Sequence, residues 1–209
     1  PVFRPPRSMP GFDKPSAEAR VCLGLIRLMR GRSSEAAAEY RRLEGTEAYA
    51  GSLGAAGLAD LALYEGRQDD GRKILETAIA ADLKNDLKAF ATQKKLVLAE
   101  ALRSLGRPGE ALKCVEDALA GTSNEAVEYS AAVVMLLAGK AERAQALART
   151  LAAQPSPEPQ AYSRLILGEI DLLKGSLPEA IKEFHEAQAQ VDIWIGHVAL
   201  GRAYLAAGQ

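Results

Sequence analysis

The sequence predicts an all-α protein built as a solenoid of antiparallel helix pairs. From residue 16 almost to the end, apolar residues recur at three- and four-residue spacing, which is the period of an α-helix. No run of β-branched residues alternates with period two. This periodic pattern forms about eleven helical stretches. Short turns connect them, so neighbouring helices are expected to be antiparallel. The stretches end at glycines 33 to 40 residues apart: Gly31, Gly66, Gly106, Gly139, Gly175 and Gly208.

Two regions are expected along the chain. Residues 1–15 contain five prolines, which lack the backbone donor that helices need, so this segment is predicted to be a proline-rich linker or arm. Residues 16–209 are predicted to form one repeat domain, with five full repeats and the first helix of a sixth. Because the chain begins at Pro1 and stops at Gln209 within the pattern, we expect it to be part of a longer protein.

The composition excludes several classes of partner. The 209 residues carry a net charge of −1, which gives no electrostatic footprint for nucleic acid or an anionic membrane. No apolar run reaches the length of about 18 residues that a membrane span needs, and no signal peptide is visible. We therefore expect a cytoplasmic protein, although an anchor or signal could lie outside this sequence. Cys22 and Cys114 are expected to be buried thiols rather than a disulfide.

Other positions repeat in register with the glycines. Seven residues before each glycine stands a small residue, such as Gly24 or Gly168, and nine residues after it stands, in several copies, a bulky one, such as Tyr40 or Phe184. Small residues let helices approach closely, and large residues fill the gaps between them. This pattern resembles the tetratricopeptide repeat family over about residues 16–209. The resemblance implies a superhelix whose first helices line a concave groove that holds a peptide or another protein.

A second resemblance concerns the protein to which the repeats belong. The stretches LADLALYEGR and YSRLILGEIDLLKG are similar to C-terminal repeat regions of large bacterial regulators with a Ser/Thr protein-kinase head or a winged-helix head. This implies that the present chain recruits or senses within a signalling protein. The copies depart from the family in lacking its leading large aromatic and its closing proline. The 40-residue interval between Gly66 and Gly106 implies longer helices or an irregular joint near residues 82–90.

Three closely spaced glycines, Gly51, Gly54 and Gly57, raise the question of a phosphate-binding loop. Their spacing is GxxGxxG, whereas a Walker loop needs GxxxxGK[ST] and a dinucleotide loop needs GxGxxG after a strand. The flanking residues are helical in pattern. We therefore expect these glycines to lie in the first helix of the second repeat and to allow close helix packing.

No catalytic, cofactor or metal site is predicted, and the chain is not expected to be an enzyme. The two histidines, His185 and His197, have no cysteine or paired carboxylate at ligand spacing. No GxSxG, HExxH or CxxC motif occurs. Carboxylates alternate with lysine and arginine along the second helices, as on a solvated face.

The repeat register places a set of side chains toward the expected groove, and the function is predicted to be non-catalytic binding of a peptide or protein there. The alternative is a ligand- or signal-sensing repeat module that regulates an attached effector domain. The C-terminal end could also self-associate, because it would expose an apolar face made of Ile193, Trp194, Ile195, Val198 and Leu205. The candidate partner-binding residues are Asp60, Tyr64, Glu100, Arg103, Tyr129, Val133, Tyr162, Glu169 and Arg202.

Overall fold

The computed structural model describes residues 15–121 and 124–209, and this part of the chain forms eleven α-helices. No strand occurs within these ranges, so the predicted all-α class is confirmed. The predicted arm lies outside the described residues apart from Pro15. The helices are α1 Ala17–Met29, α2 Ser33–Arg41, α3 Ala48–Tyr64, α4 Gln68–Lys84, α5 Lys88–Ser104, α6 Pro108–Leu119, α7 Glu125–Leu137, α8 Ala141–Ala152, α9 Pro157–Lys174, α10 Leu177–Gln190 and α11 Trp194–Ala206.

The chain divides into two compact units, one up to Ala91 and one from Thr92, with the boundary inside α5. In the first unit, α1 packs on α2 and α3, and α3 packs on α4. In the second unit, α7 packs on α8 and α9, and α9 packs on α10 and α11. Helices α1, α7 and α9 therefore each lie against the second helix of the same repeat and against the first helix of the next. The single domain over residues 16–209 stays a prediction.

Several helices begin where the sequence supplies a suitable first turn. The Ser16 hydroxyl accepts a hydrogen bond from the Ala19 N–H at 3.2 Å, and the Asn124 carboxamide oxygen accepts one from Val127 at 3.0 Å. These side chains satisfy backbone donors that have no partner within the helix. Pro108 starts α6, where its missing N–H costs nothing.

The first helices of the repeats end at the recurrent glycines, as predicted. All six glycines adopt the left-handed conformation, with φ between +71° and +77°. At Gly66 the turn lets its N–H donate to Leu63 at 3.0 Å and lets the Arg67 N–H donate to Ala62 at 2.9 Å. These bonds satisfy the last carbonyls of α3 before the chain reverses into α4.

Tyr40 shows why small residues recur in the first helices. Its side chain is 2% exposed, and it lies against Gly24 of α1 and Gly57 of α3. A Cβ added at Gly57 would come within 2.7 Å of the Tyr40 ring. In the second unit, Phe184 is fully buried against Gly168 in the same register. The small and bulky positions of the repeat are therefore complementary partners.

The closely spaced glycines of α3 have the packing role that the sequence predicted. Gly54 lies against α2, because an added Cβ would be 2.7 Å from the Tyr40 carbonyl oxygen and 2.8 Å from Leu43 Cβ. Gly51 is less crowded, with the Leu43 carbonyl 3.8 Å from its added Cβ. The three glycines thus lie within a helix that begins at Ala48, and Gly54 and Gly57 allow α2 and α3 to pack closely.

The long second interval is explained by longer helices. Helix α4 has 17 residues, whereas α6 and α8 have 12 each and α2 has only 9. The turn after α4 contains Asp86 at φ +58°, a conformation that aspartate tolerates better than most residues. The difference in length between α2 and α4 leaves space beside the end of α2.

The prediction of two buried thiols is wrong. Cys22 is exposed, and Cys114 is only half-buried, so neither is a core residue. Cys22 lies on α1, which is packed on one side by α2 and α3, and the helical period carries Cys22 to the other side.

Among the described residues, no helix is both long and apolar enough to cross a membrane.

Candidate functional site

First helices contact one another within each unit and so form a shared face. Helix α1 contacts α3 in the first unit, and α7 contacts α9, which contacts α11, in the second. The sequence-predicted binding residues all lie on first helices. We define the first-helix face of each unit as the surface that these helices present, and we consider the two units separately.

In the second unit, the structure brings four predicted residues together in one cluster. The Tyr129 hydroxyl donates to Glu169 Oε1 at 2.9 Å, and Arg202 donates to both Glu169 carboxylate oxygens at 2.9 and 3.2 Å. The Tyr129 and Tyr162 rings are tilted, with centroids 6.1 Å apart. The cluster therefore ties α7, α9 and α11 to one another.

Burial gives this cluster its electrostatic character. The Glu169 side chain is 3% exposed, while the Arg202 side chain is 52% exposed. A cation and hydrogen bonds stabilise a buried carboxylate, and Arg202 and Tyr129 supply them to Glu169. Burial raises the pKa of Tyr129, and the charge of Glu169 and the hydrogen bond to it act in the same direction. Tyr129 is therefore held protonated as a donor.

The three innermost members of the cluster present almost no surface. Tyr129, Tyr162 and Glu169 are 7%, 6% and 2% exposed, so their contact with a partner stays a prediction.

A signal in the sequence could have revealed the ion pair between Glu169 and Arg202. Glu169 and Arg202 both stand six residues before a helix-ending glycine, so they occupy the same position on adjacent first helices with opposite charges.

The other predicted residues lie apart from this cluster. Glu100 and Arg103 are half-buried and pair with each other on α5, where Arg103 Nε donates to Glu100 Oε2 at 3.0 Å. This hydrogen bond raises the pKa of Arg103. Val133 is half-buried on α7. In the first unit, Asp60 and Tyr64 are exposed on α3, Tyr64 to 75%.

A set of exposed apolar residues was mostly missed by the sequence reasoning. Met29 and Tyr64 in the first unit are 87% and 75% exposed, and Leu137 and Leu173 in the second are 43% and 52% exposed. Each is the second residue before a helix-ending glycine, so the register itself could have identified the set. We call these four the pre-glycine residues. They place one large apolar side chain at the end of each of four first helices.

The first unit also contains a cavity of about 760 Å³ on the side of the second helices. The apolar part of its lining, which we call the floor, includes Ala55, Leu58 and Ile74, and Arg41, Glu44 and other polar residues also line it. The cavity lies beside the end of α2, where the nine-residue helix stops short and the longer α4 continues. Its size is in the range of about 300 to 1,000 Å³ that is usual for small-molecule sites.

Neither histidine belongs to a recognisable reactive group. His185 Nε2 lies 2.8 Å from the Tyr204 hydroxyl, and His197 Nε2 lies 2.6 Å from Asp192 Oδ1. Over residues 15–121 and 124–209, no group of three or more histidine, cysteine, aspartate and glutamate side chains is placed to hold a metal ion.

Comparison with known proteins agrees with the fold. The family profile described as tetratricopeptide repeat matches residues 57–126 and 129–193. The chain is similar to the solved structure of TTC0263, a thermophilic TPR protein in Thermus thermophilus, with a TM-score of 0.62 and 21% identity, covering 91% of this chain and 100% of that one. No curated protein sequence matches the chain.

A second solved structure, YrrB, is described as a TPR protein with an unusual peptide-binding site. It has a TM-score of 0.48 and 14% identity, and the alignment covers 90% of this chain and 92% of that one. The fold of the present chain and the faces of its own first helices define it as a helical repeat protein. The family profile makes the assignment specific: the chain belongs to the tetratricopeptide repeat family.

Proposed function

We propose that this chain is a non-catalytic scaffold that binds an apolar segment of a peptide or protein on the first-helix face of its second unit. The observation that carries the proposal is the exposure of Leu137 and Leu173 at the ends of two first helices that contact each other. The two leucines hold equivalent positions on these helices, two residues before the helix-ending glycine, and contiguous exposed apolar patches are typical of interaction sites.

The second unit is favoured over the first because its side chains are better held. Leu137 and Leu173 keep about half of their surface against neighbours, whereas Met29 is 87% exposed. A side chain that is already ordered loses less conformational entropy when a partner binds. The buried cluster of Tyr129, Glu169 and Arg202 fixes α7, α9 and α11 beneath this surface.

Charge directs the choice of partner toward an apolar segment. Glu169 already pairs with Arg202, and Glu100 already pairs with Arg103. A basic residue of a partner would therefore compete with an arginine of this chain for either carboxylate. Apolar anchors on the partner therefore provide most of the recognition, and leucine or aromatic side chains suit the two exposed leucines.

The double variant Leu137→Arg/Leu173→Arg is expected to lose peptide binding. Peptides would be selected from a random display library on the wild-type chain, and their binding would be measured by fluorescence polarisation. Because charged groups replace two apolar contacts, the affinity of the selected peptides should fall at least about tenfold.

Leu83→Arg is the matched control, because Leu83 is also an exposed leucine, at 48%, but lies on the second helix α4. It should bind the selected peptides as the wild type does. Peptides that bind the double variant with unchanged affinity would contradict the proposed surface, provided that circular dichroism shows that the variant is folded.

A second candidate function, ligand sensing, is favoured by the cavity in the first unit. An apolar lining with several polar groups is the usual composition of a small-molecule site. In this candidate function, a ligand bound beside α2 would regulate an attached effector. The sequence resemblance to bacterial regulators and the expected cytoplasmic location bear on the same candidate and stay predictions.

Filling the cavity is expected to abolish dye binding there. The probe is anilinonaphthalenesulfonate, whose rings suit the apolar floor and whose fluorescence rises on transfer from water. Ala81→Trp places a large ring in the cavity, whereas Ala80→Trp, one residue away on α4, lies outside its lining. Dye titration should show a site that Ala81→Trp removes and Ala80→Trp keeps. Equal dye binding by both variants would exclude a ligand site in this cavity.

A further inference from the structure

The cavity of the first unit adjoins a second cavity, and the chain that precedes α1 is attached at its edge. The second cavity measures about 670 Å³, and both cavities have Thr46 and Glu47 in their linings. Pro15, the first described residue, lines the second cavity together with Leu43 of α2 and α3's neighbouring turn. Residues 1–14, the rest of the predicted proline-rich arm, are therefore tethered beside both cavities.

The larger cavity lies within the repeats and does not depend on an incomplete one. Its lining comes from α2, α3, α4 and the turns next to them, all in the first unit. The space is present because α2 ends at Arg41, whereas α4 continues to Lys84. The apolar floor is thus left uncovered by the helices of two full pairs.

The arm carries two aromatic side chains that can reach the two cavities. Phe12 stands three residues before Pro15, so it lies within about 10 Å of it along the chain. Phe3 stands nine residues further away, and three of the intervening residues are prolines, which favour an extended backbone of about 28 Å over that distance. The larger cavity follows α3 from Ala48 to Leu58, a length of about 15 Å. Phe3 can therefore reach any part of the floor.

We propose that the N-terminal arm packs into the adjoining cavities of its own chain, with Phe12 in the second cavity and Phe3 against the floor of the larger one. An enclosed phenylalanine buries about 150 to 250 Å² of surface, so two rings provide most of the contact. The prolines restrict the free arm, and the arm therefore loses less conformational entropy when it docks.

Charge complements this arrangement. The basic residues that line the cavities, apart from Arg41, form ion pairs with acidic residues of their own unit, as Arg67 does with Glu65 and Lys73 with Asp69. Among the described residues, no ion pair holds three glutamates of the linings: Glu18, Glu44 and Glu47. The arm supplies three basic residues, Arg4, Arg7 and Lys14, against one acidic residue, Asp13. Opposite charges therefore favour the docked arm.

The docked arm would compete with a small molecule for the floor of the larger cavity. This consequence rests on the second candidate function, ligand sensing, whereas the contact itself does not. A short tether holds the arm at an effective concentration on the order of 1 mM, so even weak packing keeps the cavity mostly occupied. We expect the arm to lower the apparent affinity of a ligand by about five- to tenfold.

Methyl spectra of the full chain, labelled at leucine and isoleucine, test the contact without any ligand. Phe3→Ser should shift the methyl signals of Leu58 and Ile74, because the aromatic ring no longer lies against them. Ala81→Trp fills the cavity, so in that background Phe3→Ser should shift neither signal. In the matched Ala80→Trp background the effect of Phe3→Ser should remain.

Two outcomes would overturn the contact. One is that Phe3→Ser, folded as judged by circular dichroism, leaves the Leu58 and Ile74 methyl signals unchanged. The other is that the shifts appear only at high protein concentration, because the arm would then occupy the cavity of a second copy.

Titration with anilinonaphthalenesulfonate tests the competition. The double variant Phe3→Ser/Phe12→Ser should bind the dye about five- to tenfold more tightly than the wild type. Equal dye affinity in the two chains would overturn the competition. A dye that binds neither chain would contradict the ligand-sensing function alone, since the methyl signals report the position of the arm independently.

Discussion

Replacing Arg202 by methionine is expected to lower the free energy of unfolding by about 3 kcal/mol, because it leaves a buried carboxylate without its cation. The Glu169 side chain is 3% exposed and accepts two hydrogen bonds from Arg202. The Arg202 side chain is half-exposed, so water can partly replace it, and this places the loss at the lower end of the usual range. Urea unfolding at neutral pH, followed by circular dichroism, would measure the change.

The control for this prediction is the double variant Glu169→Gln/Arg202→Met. Glutamine keeps an oxygen that can accept a hydrogen bond from the Tyr129 hydroxyl, but it needs no cation. We expect the double variant to recover about half of the lost stability, since the cost of the single change lies mainly in the unpaired charge. If the double variant is no more stable than Arg202→Met, the loss of stability in Arg202→Met does not come from the unpaired Glu169 carboxylate.

Replacing Gly168 by alanine is expected to lower the free energy of unfolding by about 2 to 3 kcal/mol. The new Cβ would lie 2.5 Å from the Phe184 ring, which is fully buried and cannot move aside without disturbing its neighbours. The loss should appear as a lower midpoint of urea unfolding with an unchanged slope, because the same surface is exposed on unfolding.

Gly201→Ala is a matched control for this substitution. Gly201 occupies the same repeat position, but an added Cβ there would meet nothing within 4 Å. The change should therefore raise stability by up to about 1 kcal/mol through the higher helix propensity of alanine. Equal destabilisation by both substitutions would show that the loss at Gly168 does not come from crowding against Phe184.

The fold was largely predictable because its determinants are local and repeated. The helical period, the glycine after each first helix and the recurrent small and bulky positions each reappear several times. A single instance of such a pattern is weak evidence for a fold, but repetition in one register leaves few alternative structures. The role of Gly51, Gly54 and Gly57 was predictable for the same reason, since their register placed them inside a first helix.

The candidate site was less predictable, because burial depends on the neighbouring helix rather than on the residue itself. Tyr129 and Tyr64 both lie on first helices, yet they are 7% and 75% exposed. Tyr129 stands in the middle of α7 and is covered by α9, whereas Tyr64 is the last residue of α3. The register identifies a shared face, but it does not specify which neighbouring side chains cover each position. The cavity beside α2 depends in the same way on the unequal lengths of α2 and α4.

The measurement that tests the proposed scaffold most directly is a nuclear magnetic resonance titration of the leucine-methyl-labelled chain with a selected peptide. The proposed surface predicts that methyl signals of Leu137 and Leu173 shift and show contacts with the peptide, while those of Leu83 stay unchanged. Shifts at Leu83 or at Leu58 in the floor of the cavity, with Leu137 and Leu173 unaffected, would contradict binding on the first-helix face of the second unit.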